Sequence, residues 1–326
     1  MYKKLSNVKL KSGEDMDIGV VTAPDQDFAD RMMDVLNHKG DPWLIHVERA
    51  LKGDIKELET RFYIGHLDGH VIANIMTVEY NRTGILGHVF TRPEHRRKGA
   101  CSLVMDYQMD DFRKHGGGVL LLGTGYDSPA YWIYHAHGFR SMSEGSGFMR
   151  YATDSDFEEE HFTSGNVEVV DVAWKHWPVL NVLTSVPGIE IMRSLSMGLY
   201  GIANFEGGFL RFMKSLENDD RKKAKLMESE YGAVVGCITL NPDERWHGEV
   251  YMLDMFLHDN FISGYDKLVE SIDMPDGKIQ CYVDATSPDE KIKALEKTGF
   301  KQEAVMKNQF MWNDKPFDVL LYSKFK

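Results

Sequence analysis

Residues 84–102 read GILGHVFTRPEHRRKGACS. The apolar residues Ile85, Leu86, Val89 and Phe90 make a strand-like run that ends at Pro93. A basic turn follows, Arg96-Arg97-Lys98-Gly99. From Ala100, the spacing of Ala100, Leu103, Val104 and Tyr107 predicts one face of a helix. A strand that feeds a basic, glycine-containing turn and then a helix can hold phosphate. Backbone N–H groups converge in the turn, and the helix start adds partial positive charge. Gly99 lacks a Cβ, so the chain can turn sharply and let a phosphate approach its backbone. One helix-end contact is worth about 0.3–1 kcal/mol, so tight binding needs several amides together with the cationic side chains. The nucleotide P-loop pattern and the dinucleotide fingerprint are both absent.

Upstream, residues 1–16 read as a polar arm, 17–22 as a strand, and 25–38 as a helix buried through Phe28, Met32, Val35 and Leu36. Gly40-Asp41-Pro42 breaks that helix, and 43–60 is a second helical region. Strands at 61–66 and 71–79 are joined by Leu67-Asp68-Gly69-His70, in which Asp-Gly is a hairpin signal. Downstream, the helix from Ala100 to about His115 stops at three glycines, followed by a strand at 119–122. Ser128-Pro129 is an N-cap with proline at the first helical position, opening a helix that ends at Gly138. A strand at 147–152 closes this half.

Two motifs in this half resemble the GNAT superfamily of acyl-CoA N-acyltransferases. The first is the strand and loop, with Val89, Thr91, Pro93, Arg96 and Gly99 in the family's positions and Cys101 where it usually has Gly or Ala. The second is DSPAYWIYHAHGF, in which Ala130, Tyr134, Gly138 and Phe139 meet the pattern A-x-x-x-Y-x-x-x-G-F. The resemblance implies an α+β fold of the α/β three-layer type, a mixed central sheet flanked by helices. It implies acetyl-CoA or CoA as cofactor. Main-chain groups of Val89, Phe90 and Thr91 would pair with the pantetheine arm, and Arg96, Arg97, Lys98, Gly99, Ala100, Cys101 and Ser102 would grip the pyrophosphate.

The second half repeats these signals after an acidic stretch at 154–160 that reads as a solvated linker. Strand 167–172 and a helix from Trp177 to Leu183 precede further helical pattern at 188–217. EYGAVVGCITL at 230–240 lines up with LDGHVIANIMT at 67–77, placing Gly232 on Gly69 and Gly236 on Ala73. Met255-Phe256-Leu257 falls where Val89-Phe90-Thr91 fell, and Thr298-Gly299-Phe300 matches His137-Gly138-Phe139. The offsets, 163, 166 and 161, differ only by small insertions or deletions. We expect a tandem duplication: an acyltransferase domain at 1–152, a linker at 153–165 and a degenerate copy at 166–326. The second copy has no Arg or Lys in Asp259-Asn260-Phe261-Ile262-Ser263-Gly264, and Leu295 stands at the Tyr134 position.

At 326 residues the chain can bury two cores. Its net charge of −12 is uneven: residues 1–152 carry 19 Lys+Arg against 20 Asp+Glu, and 153–326 carry 19 against 30. This balance argues against nucleic acid and would favour a cationic acceptor. No apolar run is long enough for a membrane span, and the first residues lack a secretory core. Cys101, Cys237 and Cys281 have no metal or disulfide spacing, so a reducing, cytoplasmic location is expected. His135 and His137 lie two apart on a helix and make a poor metal pair, and no metal is expected.

For chemistry, Tyr134 is the candidate acid toward the departing thiolate, the alternative being a packed core tyrosine. His88, Glu79 and Glu48 are open as general base, with His88 and Glu79 preferred. The reading is an acyl-CoA-dependent N-acyltransferase, acetyl being the expected group, in which a small-molecule or peptide amine attacks the thioester directly. The alternative is a non-catalytic CoA-binding or sensor protein that retains the fold.

Overall fold

The computed structural model describes residues 1–247 and 249–326. The chain forms two compact units, residues 1–157 with 174–182, and residues 158–173 with 183–326. Both are mixed α+β, each built on one large sheet.

In the first unit the elements run β1 (Tyr2–Lys9), β2 (Asp15–Thr22), α1 (Gln26–Leu36), α2 (Trp43–Lys52), β3 (Glu59–Leu67), β4 (His70–Tyr80) and β5 (Thr83–Thr91). They continue as α3 (Ala100–Lys114), β6 (Val119–Gly123), α4 (Pro129–Ala136), β7 (Arg140–Ser141) and β8 (Phe148–Ala152). The sheet order is β1-β2-β3-β4-β5-β6-β8-β7, antiparallel except for the β5/β6 pair. The expected polar arm is in fact the edge strand β1, whose charged, half-exposed side chains suit a strand with one open side. The expected helical stretch at 43–60 ends at Lys52, where Gly53 takes a left-handed φ of 83°.

Local chemistry sets the turns. Asp68 and Gly69 have φ of 50° and 79°, the left-handed pair that a two-residue hairpin requires, and Asn81-Arg82 repeats it between β4 and β5. Asp25 caps α1 by accepting from the amides of Asp27 and Phe28. Ser128 caps α4 by accepting from Tyr131 N–H at 3.1 Å. One face of the sheet packs on α3 and α4 through Tyr63, Ile75, Leu86, Val104, Phe112 and Tyr134. The buried residues of α1 and α2, among them Met32, Val35 and Val47, lie outside that cluster.

The second unit adds α5 (Phe157–His161), β9 (Val167–Asp171), α6 (His176–Ser185), β10 (Met192–Ser194), β11 (Leu199–Tyr200), α7 (Glu206–Asn218), β12 (Lys223–Ser229), β13 (Val234–Pro242) and β14 (Val250–Leu257). Then follow α8 (Tyr265–Glu270), β15 (Lys278–Asp284), α9 (Asp289–Lys297), β16 (Lys301–Trp312) and β17 (Lys315–Phe325). Phe157, which opens α5, and residues 176–182 of α6 group with the first unit. The helical pattern expected over 188–217 holds only from Glu206; before it the chain makes the small β10/β11 pair. Within the acidic stretch, Phe157 is buried, and any Cβ at Gly118 would clash with its ring at 2.5 Å.

The second sheet runs β9-β12-β13-β14-β15-β17-β16. Read from β9 it steps through the joints found from β2 onward: three antiparallel, one parallel, two antiparallel. Ala73 pairs with Thr91 in the first sheet and Gly236 with Leu257 in the second. These are the residues that the sequence offsets bring into correspondence.

Candidate active site

The parallel ladder between β5 and β6 is three residues long, Thr83↔Val119, Gly84↔Leu120 and Ile85↔Leu121. Past that point β6 pairs only with β8. From Leu86 onward β5 therefore has β4 on one side and no strand on the other, leaving main-chain groups to be satisfied by something else. The same stretch is bulged. The register moves from Asn74↔Phe90 to Met76↔Gly87, two residues along β4 against three along β5. His88 sits in the bulge with φ of 50°, a left-handed conformation that a non-glycine residue adopts only under constraint. Part of that constraint is Asn74, wholly buried, whose Nδ2 donates to the His88 carbonyl at 2.9 Å.

At the end of β5, Arg92 donates from Nε to the Val71 carbonyl at 2.8 Å and from its guanidinium to Asp34. A single 3₁₀ turn, Pro93–His95, leads into the basic loop. Arg96 Nε donates to the Thr91 carbonyl at 3.1 Å, folding back toward the strand. Arg97 and Gly99 both take left-handed φ, 64° and 90°. The loop is tied to the β1–β2 hairpin: Lys11 N–H donates to the Lys98 carbonyl at 3.0 Å, and Lys98 Nζ meets Glu14 at 3.1 Å. Of the three adjacent cations, Lys98 is thus already paired, whereas Arg97 has no ion pair among the described residues.

No side chain caps the N-terminus of the 15-residue α3, and its N-cap is Gly99. The amides of Gly99, Ala100, Cys101 and Ser102 have no intrahelical partner, as at any helix start. An uncapped helix start beside an unpaired arginine fits an anionic phosphate group. Ala100 is buried, Ser102 is half-buried, and burial pushes the Cys101 thiol up to about 11, which keeps it a neutral small residue. Val89, Phe90 and Thr91 are half-buried along the open edge, with the His38 ring 4.3 Å from that of Phe90.

His88 is 7% exposed, and neither ring nitrogen has a hydrogen-bond partner among the described residues. The Trp43 ring lies at right angles to it, 5.7 Å between centroids. Burial, with lesser contributions from Lys39 and His38, pushes its pKa down to about 3. A group so reluctant to accept a proton is a poor general base at neutral pH. Its neighbour His46, wholly buried with Nε2 3.1 Å from Thr60 Oγ1, is likewise pushed to about 3 by burial and by His88.

Tyr134 is 7% exposed on α4 and belongs to the cluster against which Val89 packs, with the Phe139 ring edge-on at 6.1 Å. Trp43 and Lys39, by contrast, belong to the α1–α2 segment. His88 and Tyr134 therefore approach the strand from opposite faces.

Glu79 stands apart from the loop end of β5. It pairs with Gly84 at the start of β5, while Ala73 pairs with Thr91 at its end. Along β4, six steps at about 3.3 Å each put Glu79 roughly 20 Å from that end, and three steps put it roughly 10 Å from Met76 at the bulge. Glu79 instead accepts from Thr77 Oγ1 at 2.5 Å and from His115 Nε2 at 2.7 Å, a position that serves a polar clamp. Glu48 is exposed on α2. The sequence reading passed over Asn74, Trp43 and Lys39. A lone amide inside the apolar run VIANIMTV was the available signal for Asn74.

The acetyltransferase (GNAT) family profile matches residues 29–139. No curated protein matches the chain. Among solved structures, the acetyltransferase of the GNAT family from Streptococcus pneumoniae is 16% identical, covering 49% of this chain and 99% of that one with a TM-score of 0.38. An N-acetyltransferase from Staphylococcus aureus is 13% identical, with coverage of 49% and 99% and a TM-score of 0.37. The yncA protein of Salmonella typhimurium, solved with its cofactor acetyl-CoA, is 9% identical, with coverage of 49% and 93% and a TM-score of 0.40. The family match thus lies wholly in the first unit and contains the bulged strand, the loop Arg96–Gly99 and Tyr134.

Proposed function

We propose that the first unit is an acyl-CoA-dependent N-acyltransferase, with acetyl-CoA as donor and an amine as acceptor. The observation that carries this reading is the uncapped start of α3 placed at the end of a strand whose far edge is open. Arg97 and the amides of Gly99–Ser102 would hold the pyrophosphate. The free edge at Val89–Thr91 would pair with an extended arm running back along β5 toward the bulge. Acetyl-CoA supplies an activated thioester carbonyl. The neutral amine nitrogen bonds to that carbon, the C–S bond breaks, and the Tyr134 hydroxyl protonates the departing thiolate. The amine sheds its extra proton to water, and water restores the tyrosine proton. The bulge amides would serve as donors to the charge that develops on the carbonyl oxygen. His88 takes no part as a base, which is supported by its low affinity for a proton.

The second unit is proposed as a degenerate copy that has kept the sheet and lost the site, with the duplicated halves at 1–152 and 166–326. Three features support this. The β13/β14 register runs without a shift from Gly236↔Leu257 to Pro242↔Tyr251, so no bulge is present. Asp254, on β14, is occupied by its own chain, accepting from the Leu195 amide at 3.1 Å and the Ser196 amide at 2.8 Å. A 3₁₀ turn, Asp259–Gly264, and the six-residue α8 stand where the first unit has its loop and long helix. The three free cysteines support a reducing, cytoplasmic location.

Thiol release from acetyl-CoA in the presence of an amine panel tests the reading. Amine-dependent release, with the acetylated amine recovered, is the expected result. Slow hydrolysis indifferent to every amine, or no consumption at all, would contradict it.

A further inference from the structure

The surroundings of His88 carry more information than its role as a base would need. Its ring is more than nine-tenths buried, yet both nitrogens lack partners, so it offers a hydrogen bond that nothing in the described chain takes. Leaving such a group unsatisfied is costly, and a bound ligand would recover that cost. The charged group that bears on it is the Lys39 ammonium, with the His38 imidazole also near, and no carboxylate does. Lys39 is half-buried at the end of the α1 segment, its amide bonded to the Leu36 carbonyl at 2.9 Å. Its ammonium has no ion pair among the described residues. His38 is held by a 3.0 Å bond from its Nδ1 to the Val35 carbonyl and lies on Phe90. Trp43 adds an apolar wall. A local field of this sign disfavours a polycationic acceptor, although the net charge of −12 over the whole chain would favour one.

Resting on the acyltransferase reading, we propose that the acceptor is an amine that also carries a carboxylate. The carboxylate is held by the Lys39 ammonium and a ring N–H of His88, with the acceptor's body against Trp43 and its amine directed to the open edge of β5. Lys39 then does two things. It binds the anionic end, and it lowers the pKa of the acceptor's own ammonium, so that a neutral nucleophile forms without a protein base. The transfer forms one N–C bond and breaks one C–S bond, leaving an N-acetyl acid and CoA thiol.

The test uses the full chain, acetyl-CoA, and matched acceptors: common α-amino acids and their carboxamides. A carboxamide's amine is the more deprotonated of each pair near neutral pH, so the comparison is biased against the proposal. The acid of at least one pair is expected to show kcat/KM about tenfold or more above its amide, as a single charge-assisted contact supplies. Lys39→Gln should raise KM for the acid about tenfold and narrow the acid-over-amide ratio of kcat/KM by a similar factor, because only the acid loses a charge-paired contact. His88→Gln, which keeps a side-chain N–H, should retain more acid preference than His88→Ala. Amides or simple amines used as well as the acids would overturn the inference, as would Lys39→Gln lowering both members of a pair equally. If no pair turns over, calorimetry of acids and amides against the CoA complex decides, and equal or absent binding overturns it. Failure to bind CoA at all overturns the parent reading instead, so the two failures are distinguishable.

Discussion

Asn74 Nδ2 donates to the carbonyl of His88 across the β4/β5 bulge at 2.9 Å, wholly out of contact with solvent. The bond ties a residue of regular strand to one held at φ of 50°. Asn74→Ala would leave that carbonyl unsatisfied in a dry interior, at a cost of about 1–3 kcal/mol in unfolding free energy. The bulge would also relax, so kcat should fall by more than the affinity for CoA. Denaturant unfolding and steady-state kinetics on one preparation check both. A stable variant with full turnover would show that the bulge is held by other means.

In the basic loop, a Cβ added to Gly99 meets only Lys11 methylenes at 3.6–3.9 Å, so space is available. The obstacle is φ of 90°. Gly99→Ala should therefore weaken CoA binding through backbone strain, by about 1–2 kcal/mol, or roughly tenfold. Arg97→Gln should cost a similar amount and reduce the salt dependence of binding. Lys98→Gln should matter less for CoA, because Lys98 is already engaged by Glu14.

Tyr134 packs among core residues on α4, so the acid role proposed for its hydroxyl can be tested apart from the packing of its ring. With Tyr134→Phe, folding and CoA affinity should be kept while kcat drops about 10²–10⁴-fold, as loss of a general acid does. A drop in thermal stability with unchanged kcat would make Tyr134 a packing residue only.

The histidines give two pH effects of opposite sense. His88 and His46 resist protonation when folded, both falling to about 3, whereas the unfolded chain takes up those protons near pH 6.5. Stability should thus decline as pH falls below about 6.5, because the unfolded state binds more protons. His115 behaves in reverse: its hydrogen bond to Glu79 raises its folded pKa. Its contribution is full below about 6.5 and is lost as pH rises through that raised value. Glu79→Gln should lower the His115 midpoint in an NMR titration and destabilise the protein most on the acid side. It should leave the pH profile of kcat untouched, since Glu79 is engaged by Thr77 and His115, roughly 10 Å along β4 from the bulge. A lost ascending limb in that variant would restore Glu79 as a base.

Much of this arrangement was legible in residues 67–70, 84–102 and 127–139, because turn and cap chemistry is local: Ser128-Pro129, Asp68-Gly69 and Gly99 act within a few residues of themselves. The sheet repeat was readable for the same reason that Gly236 and Ala73 share a pairing position, the strand spacing having been kept. What could not be read depends on register and burial. Glu79 looked adjacent to the site in sequence, but cross-strand pairing set it opposite Gly84, where His115 engages it. His88 looked like a base with an ordinary pKa until its burial against Trp43 was known. The β10/β11 pair at 192–200 defeated helical periodicity because buried Asp254 and Asp284, on other strands, hold that segment through its amides.

Titration calorimetry with acetyl-CoA tests the central claim most directly. The account expects one molecule bound per chain, with affinity reduced by Arg97→Gln and by added salt. No binding, or two equivalent sites per chain, would contradict it.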